Sequence, residues 1–115
     1  MSSTTKVELK PGAYKTGLKP VLCPVCGDFG VLNALYRSMA NLQIEPWNTV
    51  ILSGIGCSSK TPAYFLNAAH GFNAVHGRMP AVATGANAAN RDITYIGVSG
   101  DGDSLSIGLG QFCHA

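Results

Sequence analysis

The stretch ITYIGVSGDGD, residues 93–103, decides the fold. Its first six residues are mostly apolar and include β-branched and aromatic side chains, as is typical of a short strand buried in a sheet. Glycine and serine then end the strand, and a helix is predicted from Ser104 onward. A strand that runs through a glycine-rich loop into a helix favours a bound anion, because the first N–H groups of the helix lack partners.

A second predicted strand, residues 49–52, also ends in a Gly/Ser-rich loop, residues 53–59. Helical patterns precede, separate and follow the two strands, at residues 28–42, at 80–90 and from Ser104. This order predicts an α/β fold, a parallel sheet with helices on both faces. Ligands of such folds bind beyond the carboxyl ends of the strands, so loops 53–59 and 99–103 are expected to line one site.

Local patterns give further predictions. Residues 1–20 form an irregular N-terminal arm, and residues 21–115 form the domain. Asp28 is predicted to cap the first helix, residues 71–77 to form a loop, and Cys113 to be a small core residue. The buried face of the first helix is predicted to consist of Val31, Leu32, Leu35, Met39 and Leu42.

The composition excludes several classes of protein. Hydrophobic residues make up 46% of the chain and charged residues 12%, about half the usual ~25%. Another part of a longer chain, or a partner subunit, is therefore expected to cover much of the surface. A net charge of +2 argues against nucleic-acid binding, and no apolar run approaches the ~20 residues of a membrane span.

The cysteines point to metal or redox chemistry. The first ten residues lack a signal-peptide pattern, so a cytoplasmic location is expected, where disulfides are rare. Cys23 and Cys26 form a CxxC motif before the first helix, and Cys57 lies in the loop after the first strand. Half of a zinc site, a redox pair, and an iron–sulfur cluster with its fourth ligand elsewhere all remain open.

The Gly100-Asp101-Gly102 segment has two interpretations. Its glycines let the backbone approach an anion closely, and Asp101 would bind a divalent cation that neutralises a diphosphate. Alternatively, the segment is a turn in which aspartates cap the following helix. The segment by itself does not decide between them.

Four motifs, taken together, resemble the β subunit of 2-oxoacid:ferredoxin oxidoreductases in order and spacing. They are CPVCGDFGVLNAL at 23–35, SGIGCSS at 53–59, HGR at 76–78 with ATG at 83–85, and GDGDSLSIG at 100–108 followed by His114-Ala115. The resemblance covers residues 21–115 and favours the branch that uses 2-oxoglutarate or a broad range of 2-oxoacids. Val25 departs from the pattern, in which glycine is common at this position.

The resemblance implies the N-terminal part of a thiamine-diphosphate-binding domain. It implies three cofactors, which are thiamine diphosphate, Mg²⁺ and a 4Fe–4S cluster. It also implies site residues: Cys23, Cys26 and Cys57 for the cluster; Asp101 for Mg²⁺; Gly102 and Asp103 for the diphosphate; and Ile55, Gly56, Cys57, Ser58 and His76 around the thiamine. It assigns no catalytic side chain within this chain.

The activity implied is oxidative decarboxylation of a 2-oxoacid to an acyl-CoA, with electrons passed to ferredoxin. The implied partners are the α subunit, ferredoxin, the 2-oxoacid and coenzyme A. The fourth cysteine and the other Mg²⁺ ligands are expected farther along a longer subunit, and the 115 residues alone are expected to be inactive. The alternatives are a structural zinc module, and a non-redox thiamine enzyme that shares Gly-Asp-Gly but not the three cysteines.

Overall fold

A three-stranded parallel sheet lies at the centre of the part of the chain that the computed structural model describes, residues 8–64 and 69–115. Its strands are β1 (Thr49–Ser53), β2 (His70–Asn73) and β3 (Thr94–Val98). The order is β2-β1-β3, so the buried strand β1 pairs with both neighbours. The predicted parallel sheet is confirmed.

Helices connect and flank the strands. They are α1 (Asp28–Leu42), α2 (Thr61–Tyr64), α3 (Met79–Ala89) and α4 (Leu109–His114). Three short 3₁₀ helices and one π-helical turn complete the structure: Pro11–Tyr14, Pro46–Asn48, Cys57–Lys60 and Asp103–Ile107. The helices predicted at 28–42 and 80–90 match α1 and α3 to within one residue, whereas helical turns after β3 already begin at residue 101.

The two faces of the sheet carry different helices, as predicted. Ile51 of β1 and Ile96 of β3 are register partners and belong to the core that α1 covers. Leu52 and Gly97 are the next register pair and therefore point to the opposite face. There α3 packs so closely that a Cβ atom on Gly97 would lie 2.6 Å from the sulfur of Met79.

The described part of the N-terminal arm, residues 8–20, is fixed to α1 by a buried tyrosine. Tyr14 is fully buried in the core. Its hydroxyl donates to the carbonyl oxygens of Met39 at 3.1 Å and Ile44 at 2.8 Å, both at the end of α1. Burial raises the pKa of this phenol. The division of the chain at residue 20 stays a prediction.

The sequence pattern missed one strand. Residues 71–77 are predicted as loop, but His70–Asn73 pairs with β1 as β2. All four residues of β2 are exposed, so their side chains carry no alternation of apolar and polar positions. Backbone pairing with β1 defines this edge strand, and such pairing leaves no trace in the hydrophobic pattern.

The predicted core of α1 was partly wrong. Its buried residues are Leu32, Tyr36, Met39 and Ala40, whereas Val31 and Leu42 are 47% and 69% exposed. The buried face is rotated toward Tyr36, whose ring packs in the core while its hydroxyl donates to the carbonyl of Tyr64.

Two single-residue predictions were also wrong. Asp28 is the first residue of α1, and Gly27 takes the capping position without a side-chain hydrogen bond. Cys113 is exposed and not part of the core. Among the described residues, no helix combines the length and the apolar composition needed to cross a membrane.

We expect Tyr14→Phe to lower the free energy of unfolding by about 1–2 kcal/mol, because it removes the hydroxyl that donates to the carbonyl of Met39 in a buried setting and to that of Ile44 in a part-buried one. The pKa of Tyr14 is raised in the folded state, so the stability that its hydroxyl contributes is present below about pH 10 and is lost at higher pH. The difference between wild type and Tyr14→Phe should therefore stay constant up to about pH 10 and shrink at higher pH.

Urea unfolding at several pH values measures this difference. Tyr95→Phe is the matched control, since the Tyr95 hydroxyl also donates to two carbonyls at a helix end, those of Ala86 and Asn90, but in a less buried setting. A loss for Tyr14→Phe no larger than for the control would contradict a central role for Tyr14.

Candidate cofactor site

The loops that follow β1 and β3 touch at the carboxyl edge of the sheet. The N–H of Gly54 donates to the carbonyl of Val98 at 3.4 Å, and the N–H of Gly100 donates to the carbonyl of Ile55 at 2.9 Å. A Cβ atom on Gly100 would lie 2.7 Å from that Ile55 oxygen, so only glycine allows this approach. The predicted adjacency of the two loops is confirmed.

The turn after β2 joins the same edge. The N–H of Ala74 donates to the carbonyl of Ser53 at 2.7 Å. Farther along the turn, the N–H of Gly77 donates to Oδ1 of Asp103 at 2.5 Å. His76 directly precedes Gly77, so the structure brings the His76 turn to the two loops that the strand order had already placed together.

Most predicted contact residues of this edge face solvent. Those exposed are Ile55, Gly56, Cys57, His76, Asp101 and Gly102. Ser58 is half-buried, and Asp103 is buried. No neighbouring atom lies within 4 Å of where a Cβ atom on Gly102 would be. Open glycine backbone beside an exposed carboxylate suits a diphosphate and its cation, so these residues fit the implied group.

Asp103 differs from the others. Its side chain is 3% exposed, and its Oδ2 is buried with no hydrogen-bond partner among the described residues. A Cβ atom on Gly54 would lie 1.8 Å from that oxygen, so the carboxylate presses against the backbone of the first loop. The enclosed carboxylate sits between the loop after β1 and the turn after β2.

The CxxC segment is a turn that leads into α1. The N–H of Cys26 donates to the carbonyl of Cys23 at 3.1 Å, and the N–H of Phe29 donates to the carbonyl of Cys26 at 3.2 Å. Val25, between the cysteines, is fully exposed and has a φ of 60°. This left-handed conformation is unusual for a β-branched residue.

Two hydrogen bonds join Val21, just before the CxxC motif, to Lys60 and Tyr64, which follow the loop that carries Cys57. The ammonium group of Lys60 donates to the carbonyl of Val21 at 3.5 Å. The N–H of Val21 donates to the hydroxyl of Tyr64 at 3.2 Å. Since Val21 lies two residues before Cys23, and Lys60 three residues after Cys57, the two cysteine-bearing segments are neighbours.

The thiols themselves are not gathered around a common point. All four cysteines are free; Cys23 and Cys57 are exposed, and Cys26 is half-buried. Within residues 8–64 and 69–115, no three His, Cys, Asp or Glu side chains lie close enough together to hold a metal ion. Accessible soft thiols suit an iron–sulfur cluster chemically, and the assignment of the three cysteines stays a prediction.

Sequence reasoning missed the contact that joins the His76 turn to the GDGD loop. Gly77 and Asp103 are 26 residues apart, and neither residue type reveals its partner. The signal available in the sequence was the glycine at 77. In the structure its φ is 75°, a value that other residues rarely adopt.

Comparison with known proteins defines the class. Residues 54–115, more than half of the chain, match the family described as thiamine pyrophosphate enzyme, C-terminal TPP binding domain. The chain belongs to this family of thiamine pyrophosphate enzymes. The expected thiamine-diphosphate-binding domain is thereby confirmed at the level of the family.

Individual relatives narrow the comparison. The chain is 47% identical over 100 residues to 2-oxoacid:ferredoxin oxidoreductase 1, subunit beta, of Aeropyrum pernix, covering 87% of this chain and 31% of the relative. It is 46% identical over 93 residues to 2-oxoglutarate oxidoreductase subunit KorB of Mycobacterium tuberculosis, covering 81% and 24%. The predicted resemblance to these β subunits is confirmed.

A solved structure agrees with this result. It is a 2-oxoglutarate:ferredoxin oxidoreductase from Magnetococcus marinus with 2-oxoglutarate, coenzyme A and succinyl-CoA bound. It superposes with a TM-score of 0.86 at 43% identity, over 91% of this chain and 35% of that chain. The chain thus spans roughly a quarter to a third of the length of these relatives.

The geometry of the CxxC turn leads to a prediction about stability. Val25→Gly should raise the free energy of unfolding by about 1 kcal/mol, because glycine adopts the left-handed conformation without strain and the exposed side chain makes no packing contribution. Val21→Gly is the matched control, an exposed valine of the same segment whose φ is not positive. Urea unfolding compares the two, and an equal loss of stability in both would rule out strain at Val25.

Proposed function

We propose that this chain is part of the β subunit of an enzyme that oxidatively decarboxylates a 2-oxoacid to an acyl-CoA and passes the electrons to ferredoxin. The observation that carries the proposal is the direct contact between the loops after β1 and β3, in a chain that belongs to the thiamine pyrophosphate enzymes. The relatives named as 2-oxoacid:ferredoxin oxidoreductases supply the reaction class.

Thiamine diphosphate is the proposed cofactor of the carboxyl edge. When bound, it supplies the nucleophilic carbon and the electron sink that decarboxylation requires. Asp101 would hold Mg²⁺, and the backbone at Gly102 would approach the diphosphate, since both are exposed at the start of the helical turns after β3. The thiamine would lie among Ile55, Gly56, Cys57, Ser58 and His76.

A 4Fe–4S cluster is the proposed cofactor of the cysteines. Cys23, Cys26 and Cys57 would supply three thiolates, and the cluster, when bound, carries single electrons. The proposal is supported by the Lys60–Val21 hydrogen bond, which holds the two cysteine-bearing segments together.

An α subunit, ferredoxin, the 2-oxoacid and coenzyme A are the proposed partners. Leu105, Ile107, Leu109 and Phe112 are each about half exposed, at 48–54%. A row of large apolar side chains on the helical turns after the GDGD loop supports a covering partner surface. The Magnetococcus enzyme, which binds 2-oxoglutarate and coenzyme A, supports a 2-oxoacid substrate.

We expect Asp101→Ala to abolish Mg²⁺-dependent binding of thiamine diphosphate, because the diphosphate charge would lose its bridging cation. Calorimetry of the intact protein that carries this chain, with and without Mg²⁺, measures the affinity. Asp92→Ala is the matched control, an exposed aspartate in the turn before β3 and outside the site, and it should bind as the wild type does. Unchanged affinity in Asp101→Ala would refute the assignment of this ligand.

We expect Cys23→Ser or Cys57→Ser to remove the iron–sulfur absorption and electron transfer to ferredoxin, because serine is a poor ligand for iron of this kind. Cys113→Ser, which alters an equally exposed thiol, is the control and should keep both. Iron and acid-labile sulfide are assayed after anaerobic purification. Bound zinc without sulfide would instead favour a structural zinc module, and thiamine binding with neither metal nor sulfide would favour a non-redox enzyme.

A further inference from the structure

We propose that Asp103 is a positioning residue whose carboxylate fixes the His76 turn against the loop after β1. Resemblance assigned Asp103 to the diphosphate, but its surroundings point to an indirect role. The inference rests on the proposed function in one respect, namely that thiamine diphosphate binds at the carboxyl edge of the sheet.

A hydrogen bond joins Asp103 to the turn that carries His76. Oδ1 of Asp103 accepts the buried N–H of Gly77 at 2.5 Å. The bond is buried and joins two segments that lie 26 residues apart in the chain. The bond therefore holds the turn that carries His76 to the first residue of the π-helical turn, Asp103–Ile107.

The turn that carries His76 packs tightly against the π-helical turn. Gly77 has a φ of 75°, and a Cβ atom on it would lie 2.6 Å from Cγ2 of Ile107 and 2.9 Å from the nitrogen of Gly108. The N–H of Gly108 in turn donates to the carbonyl of Asp103 at 2.8 Å. Gly77 thus packs closely against the π-helical turn, and the hydrogen bond to Asp103 holds it there.

The Asp103 carboxylate is enclosed by its surroundings. Oδ2 of Asp103 is buried with no partner in the part of the chain that the structure describes, and it faces Gly54, where a Cβ atom would lie 1.8 Å away. Asp103 is only 3% exposed, whereas Asp101 and Gly102 are exposed. A ligand at the carboxyl edge would contact Asp101 directly. Asp103 would affect such a ligand only indirectly, through the loop after β1 and the turn that carries His76.

The experiment compares Asp103→Asn, which keeps an acceptor oxygen for Gly77, with Asp103→Ala, which does not. We expect Asp103→Ala to speed hydrogen exchange of the Gly77 N–H and to weaken Mg²⁺-dependent thiamine diphosphate binding, each by about tenfold or more, the scale of one lost hydrogen bond. Asp103→Asn should stay within about threefold of wild type in both measurements. The near-UV circular dichroism of the bound cofactor should change in Asp103→Ala only.

A second variant keeps the test decisive if Asp103→Ala folds poorly. Gly77→Ala displaces the turn by steric conflict while leaving the carboxylate in place, so it should weaken cofactor binding in the same way. Gly110→Ala is its control, because a Cβ atom there meets nothing within 4 Å. It should bind as the wild type does.

Three results would overturn the proposal: unchanged Gly77 exchange in Asp103→Ala, unchanged cofactor affinity in that variant, or loss of binding in Asp103→Asn with the Gly77 N–H still protected. The last result would make Asp103 a direct ligand. If the wild type itself binds no thiamine diphosphate, the proposed function fails. Hydrogen exchange at Gly77 would then still support or overturn the positioning of the turn.

Discussion

The parallel pairing of β1 with both β2 and β3 is the constraint on which the site depends. Ile51 and Leu52 of β1 are each 1% exposed, so the strand is fixed by packing on both faces as well as by hydrogen bonds on both edges. Because all three strands run in one direction, their carboxyl ends lie along one edge. This topology therefore brings together the loops after β1 and β3 and the turn after β2.

Sequence predicted those parts of the structure whose apolar side chains form a recognisable pattern along the chain. Strands β1 and β3 and helices α1 and α3 carry such patterns, and their order implies the two-loop site. The exposed strand β2 carries none, and the buried face of α1 depends on Tyr14, which comes from a distant segment. The bond between Gly77 and Asp103 is likewise tertiary, so no local pattern could reveal it.

A covering surface would explain both the low charge content and the exposed apolar residues. With 12% charged residues, the chain cannot cover its surface with charge, and Leu105, Ile107, Leu109 and Phe112 remain half exposed in the described residues. These side chains follow the GDGD loop directly, on the π-helical turn and α4. A surface that packs over them would therefore also border the proposed cofactor site.

The loop after β1 serves both proposed cofactors at once. Its first half contacts the GDGD loop through Ile55 and Gly100. Lys60, directly after the loop, donates to the carbonyl of Val21, just before the CxxC motif. Cys57 lies between these two contacts. A thiolate at this position would place the cluster beside the thiamine, which shortens the path for an electron.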